Sequence, residues 1–520
     1  MGGMDGVILL LYVLVICLIW LIWKNEFFTS FFKSSSRISW MVGSVSLFMY
    51  QMSPNALTLN AEVLRAQGLK GFWIFFSQWM AVGFIPFVFA PLWNKLQLYT
   101  DNEFIFERFS GVGAKVLFYF RAGFLGFIIT PIIVSFQVLV FSSFLEQYWS
   151  VSYSWALTVS SFFIILSSLK NSLGINLRTD FFHGILYVTV IGLILGVLLA
   201  KAGSPYTAIA LLEQSNPGVS KMFPATGDQK SWNALFVLFS IQWWSISLFD
   251  GGGVEMQRFN SAQTPVKAIY LAAGGILLSV GCSFLNLLIA VLSASISTDG
   301  AGIFSTLRGV LPESVHMLIT LGIWAAFITT AESMVNWGAS FVVVPFVTKQ
   351  SWKNGSRNAL IISMLFVVLL TIIAVIFAWY NRNLSTLFFW FLSFSAGVAP
   401  VFFFRWFWYR INAWAQFSAM LGAAIYTVLY DRLEPVFATH LRYDLLDPYY
   451  WKLIIMTGVN MLTWIIVMYL TPADDPEKVS AFRSNIPSMQ WLLKRVGWSL
   501  LFSILIITVY VLLLLGLFGQ

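Results

Sequence analysis

The chain has 520 residues, of which 59% are hydrophobic and only 10% charged, against about 45–50% and about 25% in soluble domains. A globule of this composition lacks polar surface to face water, which excludes the soluble-enzyme, disulfide-rich secreted, nucleic-acid-binding and disordered classes. The 30 Lys and Arg against 22 Asp and Glu fall in short loops between apolar runs, a pattern that sets membrane orientation.

At about 20 apolar residues per crossing, the sequence divides into about 14 candidate spans of an all-α polytopic membrane protein. The first apolar run, 6–23 within an extra helix placed at 6–24, has Asp5 before it and Lys24 after it. That is the reverse of a cleaved signal, so it reads as a retained extra N-terminal helix. Further spans are expected at 38–60, 71–93, 116–145, 155–169, 181–200, 232–249 and 268–296, then at 316–347, 359–380, 387–409, 413–430, 453–470 and 498–518. The short gap before 155 and the split around Arg410 are each compatible with one bent helix. Alternate loops carry about 19 and about 10 basic residues. The richer set includes Lys24, Lys33, Arg37, Lys95, Arg108, Lys170, Arg258, Lys349 and Lys353, and the positive-inside rule places it in the cytoplasm. Both termini are then extracytoplasmic. The polar stretches 201–231 and 431–450 read as extracytoplasmic loops, and no linker is long enough for a second folded domain.

Cys17 and Cys282 lie inside apolar runs, as small buried hydrophobes do. His183, His316 and His440 form no sequence cluster with cysteine, so zinc and haem have no support. No nucleophile–base spacing supports a membrane enzyme.

Two spans are interrupted. The second carries Gln51-Met52-Ser53-Pro54-Asn55, where Pro54 removes a donor and disfavours helix at Ser53. Five spans later, the seventh ends in Phe249-Asp250-Gly251-Gly252-Gly253. Each alone is an ordinary kink or glycine loop. Together they occupy corresponding places in two five-span units, the pointer to inverted repeats with discontinuous helices around a central site.

Particular residues then carry a likeness. They are Tyr99-Thr100-Asp101-Asn102-Glu103 through Gly111, Phe120-Arg121-Ala122, Gln257-Arg258-Phe259-Asn260-Ser261-Ala262, Ser333-Met334-Val335-Asn336-Trp337, and Arg410-Ile411-Asn412-Ala413-Trp414. In this order, over nearly the whole chain, they resemble the sodium/solute symporter family of sodium–glucose transporters and proline permease. The stretch Gln242 to Gly253 is most similar to a less-studied bacterial branch. The resemblance implies a leucine-transporter-type 5+5 inverted repeat, with 38–200 and 232–409 as the repeats and 410–520 as accessory helices. It further implies sodium-coupled symport by alternating access in a bacterial cytoplasmic membrane.

The resemblance also implies a sodium ion (Na+) held by the carbonyls of Met49, Met52 and Ala326 and the hydroxyls of Thr329 and Thr330. Neutral oxygens suit a hard cation, although threonines in spans also bond back to their own helix. Asp180 matches a family acid on the inner sodium path and, with Ser333, a second ion position; an Asp at a helix N-terminus is also favoured by the dipole. The solute pocket is expected from Gln51, Ser53 and Asn55, from Gln242, Trp243 and Ser245, and from Phe391 or Ser395. Amides beside rings suit a sugar-like or amino-acid-like small molecule, and such residues also serve interhelical packing. No Arg or Lys is expected at mid-membrane, Arg121 lying nearer the inner side. Glu332 departs from the family pattern, and Val344-Pro345-Phe346 replaces its usual inner-gate pair. These departures leave open a proton-coupled symporter using Glu332 and a transporter-like solute sensor or partner subunit. Partners are the solute, sodium and membrane lipid, with no nucleic acid.

Overall fold

The computed structural model of the chain describes residues 3–23, 38–168, 173–245, 250–297, 302–346 and 357–518. Lys24, Lys33, Arg37, Lys170, Phe249, Lys349 and Lys353, used above for orientation and for the second break, lie outside the described residues. So do the side chains of Val344, Pro345 and Phe346, whose backbone closes a helix.

Among the described residues the regular elements are helices, with a lone bridge pairing Ile38 and Ala262. Eight helices are long and apolar enough to cross a membrane, so this is a multi-pass membrane protein. Their outward faces carry large apolar side chains, such as Leu501, Ile504, Leu505 and Leu512 on Met489–Phe518. Hydrocarbon makes this exposure favourable, which explains a composition that water could not tolerate.

Among the described residues, every apolar run of the sequence carries helix. Helix α1 is Gly3–Trp23. The run at 38–60 is two helices, α2 (Trp40–Gln51) and α3 (Asn55–Gln67), separated where Pro54 was expected to break it. Helix α4 is Leu69–Leu96 and α5 is Gly111–Trp149. A left-handed Ser150 (φ 57°) stops α5, and α6, Tyr153–Ser168, begins after it, so two helices and not one bent helix occupy this region. Helix α7 is Leu173–Ala202. The second interrupted run gives α8 (229–245) and α9 (Val254–Ser261). Helices α10 (Pro265–Ile296), α11 (His316–Phe346) and α12 (Arg357–Tyr380) follow. Then come α13 (Leu384–Ser395), α14 (Ala399–Phe404), α15 (Ala413–Phe437), α16 (Pro448–Leu470) and α17 (Met489–Phe518). Asn412 starts α15 by accepting a hydrogen bond from the Ala415 N–H at 3.0 Å, the N-cap role of a short polar side chain. The chain therefore breaks around Arg410 and does not bend there. The polar stretch 201–231 includes a helix, Pro205–Ser215.

The packing centre is formed by α2, α7, α10 and α11, with α5 and α12 beside α11. Helix α1 lies against α7 and α11, and α17 lies against α4. Where α2 passes α7 and α10, glycines allow close approach: a Cβ on Gly184 would meet Val45, and one on Gly275 would meet Leu47.

Candidate functional site

The first interruption borders a cavity of about 520 Å³, and the helix that follows the second reaches the same cavity. Gln51, Met52, Ser53 and Asn55 line it from the first break, and Glu255 lines it from the first turn of α9 after the second. Gly251 (φ +63°) and Gly253 (φ +75°) turn the chain into α9 through left-handed backbone. A Cβ on Gly253 would come within 3.2 Å of Trp337. The polar lining continues with Gln78, Gln137, Ser279 and Thr330, and the apolar lining is largely aromatic. Ser279 donates to Gln51 Oε1 (2.7 Å), and Gln51 Nε2 donates to Glu255 Oε1 (3.0 Å), which locks the interrupted segment to α10 and α9.

At the cavity wall, the Thr330 hydroxyl lies 3.1 Å from the Ala326 carbonyl, 3.4 Å from that of Met49 and 3.3 Å from that of Tyr50. The structure thus gathers Met49, Ala326 and Thr330. Met52 also lines the cavity. Thr329, one residue from Thr330, points elsewhere and meets His183 Nδ1 at 2.9 Å.

Asp180 and Ser333 are brought together by a residue not expected there. The buried guanidinium of Arg258 reaches Asp180 Oδ2 at 3.3 Å and Ser333 Oγ at 3.0 Å through Nη2, and Ser46 Oγ at 3.0 Å through Nε. Ser46 in turn donates to Asp180 Oδ2 at 2.5 Å. The Tyr50 ring lies 5.1 Å beneath the guanidinium. The cation between Asp180 and Ser333 in this conformation is the protein's own.

The other sequence motifs resolve into buried pairs. Arg121 meets Asp101 at 2.7 Å, and Trp337 donates to the same carboxylate at 3.2 Å. Arg405 and Trp406 hold Asp250 at 2.7 and 3.0 Å, and Arg108 meets Asp474 at 3.4 Å. Each of the four buried arginines Arg108, Arg121, Arg258 and Arg405 is matched by one aspartate, as a low-dielectric setting requires.

The expected pocket residues divide. Gln51, Ser53, Asn55 and Phe391 line the cavity, whereas Ser395 lines a small separate one with Phe391. Gln242, Trp243 and Ser245 are not in the cavity wall. Gln242 accepts from the Tyr449 hydroxyl (3.0 Å) and donates to the Ile74 carbonyl (3.3 Å). Trp243 stacks on Phe84, and Ser245 bonds back to Gln242. The reason is local: 238–242 form a π turn, whose extra residue rotates the following side chains about the helix axis. Glu332 is buried at 4% exposure on α11, near Tyr12 of α1.

Sequence reasoning missed Glu255, His183 and the pairing role of Arg258. A further chain of contacts starts on α1, where Tyr12 accepts from Trp324 Nε1 (3.0 Å) and meets His183 Nε2 (3.0 Å). For every hydroxyl to find an acceptor, Tyr12 donates to Nε2, Nδ1–H donates to Thr329, and Thr329 faces Asp180.

No protein-family model matches the chain, and no curated protein matches it. Its fold is found in solved structures. A Na+-coupled sialic acid symporter, in a substrate-bound outward-open state, superposes with a TM-score of 0.65 at 16% identity, covering 91% of this chain and 99% of the symporter. A nucleobase-cation-symport-1 family transporter, closed around bromovinylhydantoin, superposes with a TM-score of 0.51 at 11% identity, covering 88% and 99%. Both are transporters of leucine-transporter type, and the chain shares that all-helical fold.

Proposed function

We propose that this chain is a secondary carrier in a bacterial cytoplasmic membrane, coupling uptake of a small polar organic solute to sodium by alternating access. The observation that carries the reading is the cavity lined by the first helix break and by Glu255 just past the second, with hydroxyl and carbonyl oxygens gathered at its wall. Interrupted helices survive at membrane depth beside such a cavity because freed backbone groups find ions, solute or water there. In this reading α2 to α7 and α8 to α14 are the two inverted repeats, α1 and α15 to α17 are accessory, and about 14 spans leave both termini outside.

Sodium suits the oxygens around Thr330, where the carbonyls of Met49 and Ala326 with those of neighbouring turns offer ligands without a fixed charge. Met52 and Thr329 complete the set after a modest shift of α2 against α11. The likeness in fold to a Na+-coupled symporter supports this ion; that protein's sialic acid is its own substrate. The test is binding of radioactive sodium to purified protein, followed by flux in proteoliposomes. Saturable binding is expected, reduced at least tenfold by Thr330→Ala. Absence of saturable sodium binding in the intact protein overturns sodium coupling.

The chain from Tyr12 through His183 and Thr329 to Asp180 favours a proton as the second coupling ion to consider. In that reading Glu332, buried on α11 near Tyr12, supplies a further exchangeable site. Flux that follows a pH gradient without sodium, and is lost in His183→Gln, identifies it.

A further inference from the structure

We propose that the central cavity takes a solute bearing one ammonium group on an apolar or aromatic body, with Glu255 as its counter-charge. Among the described residues, Glu255 is the cavity's one ionisable acid, and no Lys, Arg or His lines the wall. No described cation lies within ion-pair distance of Glu255. Arg258, one turn along α9, is committed to Asp180, Ser46, Ser333 and the Val254 carbonyl. A carboxylate facing a low-dielectric cavity stays ionised only with a cation beside it or with strong donors around it, and otherwise takes up a proton. Glu255 has one neutral donor, Gln51, on Oε1, and its Oε2 accepts no hydrogen bond from the described residues.

A second observation points the same way. Gln137, 3% exposed on α5, and Asn55 each present a side-chain oxygen with no hydrogen-bond partner, and both line this cavity. With Glu255 Oε2 they make three acceptors on a wall whose one orphaned donor among the described residues is Gln78 Nε2. A primary ammonium carries three N–H donors and no acceptor. Around these acceptors stand aromatic walls, including Phe72, Phe75, Trp79, Phe136 and Phe388, whose faces attract cations and whose area buries an apolar body. An anionic solute would meet Glu255 with repulsion, and a neutral one would leave it only the charge of Arg258, which acts from one turn along α9 and is shared with Asp180.

The inference uses the transport reading only in naming the cavity as the solute site, so its test is equilibrium binding and not flux. Calorimetric titrations of the purified full-length protein, at fixed sodium, compare phenethylamine with 2-phenylethanol, 3-phenylpropionate and phenylalanine. Phenethylamine is expected to bind saturably and at least tenfold more tightly than the alcohol or the acid. Glu255→Gln should bring amine and alcohol to within about threefold of each other, and Glu255→Asp should restore part of the preference if the variant's charge is what matters. Equal binding of amine and alcohol, tighter binding of the acid or of phenylalanine, no binding by any probe, or an undiminished amine preference in Glu255→Gln would each overturn the proposal. Amine binding without flux driven by either a sodium or a pH gradient would instead overturn the carrier reading while leaving this one standing.

Discussion

Replacing Asp180 by Asn keeps the shape of the side chain and removes its charge, leaving Arg258 as a buried cation without its ion partner. The carboxylate holds two hydrogen bonds on Oδ2, from Ser46 at 2.5 Å and from Arg258 at 3.3 Å. Deleting one member of a buried pair costs about 3–5 kcal/mol. Arg258 would keep Val254 O, Ser333 and the Tyr50 face, so the lower end, about 3 kcal/mol, is expected for Asp180→Asn. Arg258→Gln strands Asp180 in the same way and should cost a similar amount. The double variant strands no charge, and should be about 3 kcal/mol more stable than the sum of the single effects predicts. The assay is equilibrium unfolding in mixed micelles with increasing dodecyl sulfate, followed by tryptophan fluorescence. Trp337 lies one helical turn along α11 from Ser333 and reports on this region. If the two substitutions add to within about 0.5 kcal/mol, the pair is not coupled and the argument fails.

Tyr12→Phe deprives both Trp324 and His183 of a partner; a loss of about 2 kcal/mol is expected in the same unfolding assay, with a shift in Trp324 emission. Gly253→Ala forces a side chain onto φ +75° against Trp337 and should cost about 1–2 kcal/mol, whereas Gly218→Ala, at φ +89° in open space, should cost only the backbone strain. Backbone N–H groups of Ser220 and Gly218 hold the Glu213 carboxyl below its ordinary range. A depressed folded value stabilises the 216–220 turn above the unfolded value, near about 4.3, and that contribution disappears as pH falls through the folded value. The protection factors of amides in this turn, observed rates divided into the intrinsic rates at each pH, should therefore fall on acidification, and Glu213→Gln should keep them low at every pH.

The helices and both breaks were legible because each depends on local chemistry: apolar runs of spanning length, Pro54, and the glycines at 251–253. Sequence also marked Asp101, Arg121, Arg258 and Trp337 as belonging to motifs. It could not show that Asp101 meets Arg121 and Trp337, because partner choice is set by helices meeting across the bundle. Gln242 lies outside the wall of this cavity in this conformation, turned by a π turn that leaves no composition signal. Glu255 reads as an ordinary acid of a helix's first turn. The available signal was its position just past an unwound segment, where side chains project into whatever the break encloses.

The one-to-one matching of buried arginines and aspartates has a consequence for how the protein is made. Asp101 and Arg121 emerge 20 residues apart, but Arg258 follows Asp180 by 78, Arg405 follows Asp250 by 155, and Asp474 follows Arg108 by 366. At synthesis rates of about 5–20 residues per second, Arg108 waits roughly 20–70 s for its counter-ion. Arg108 lies between α4 and α5, so during that interval its guanidinium stays solvated in a loop, and it becomes buried only when the segment after α16 brings Asp474 to it. The order in which the charges find each other is thus written into the chain's length, and membrane insertion is the stage at which a mispaired arginine would be most exposed.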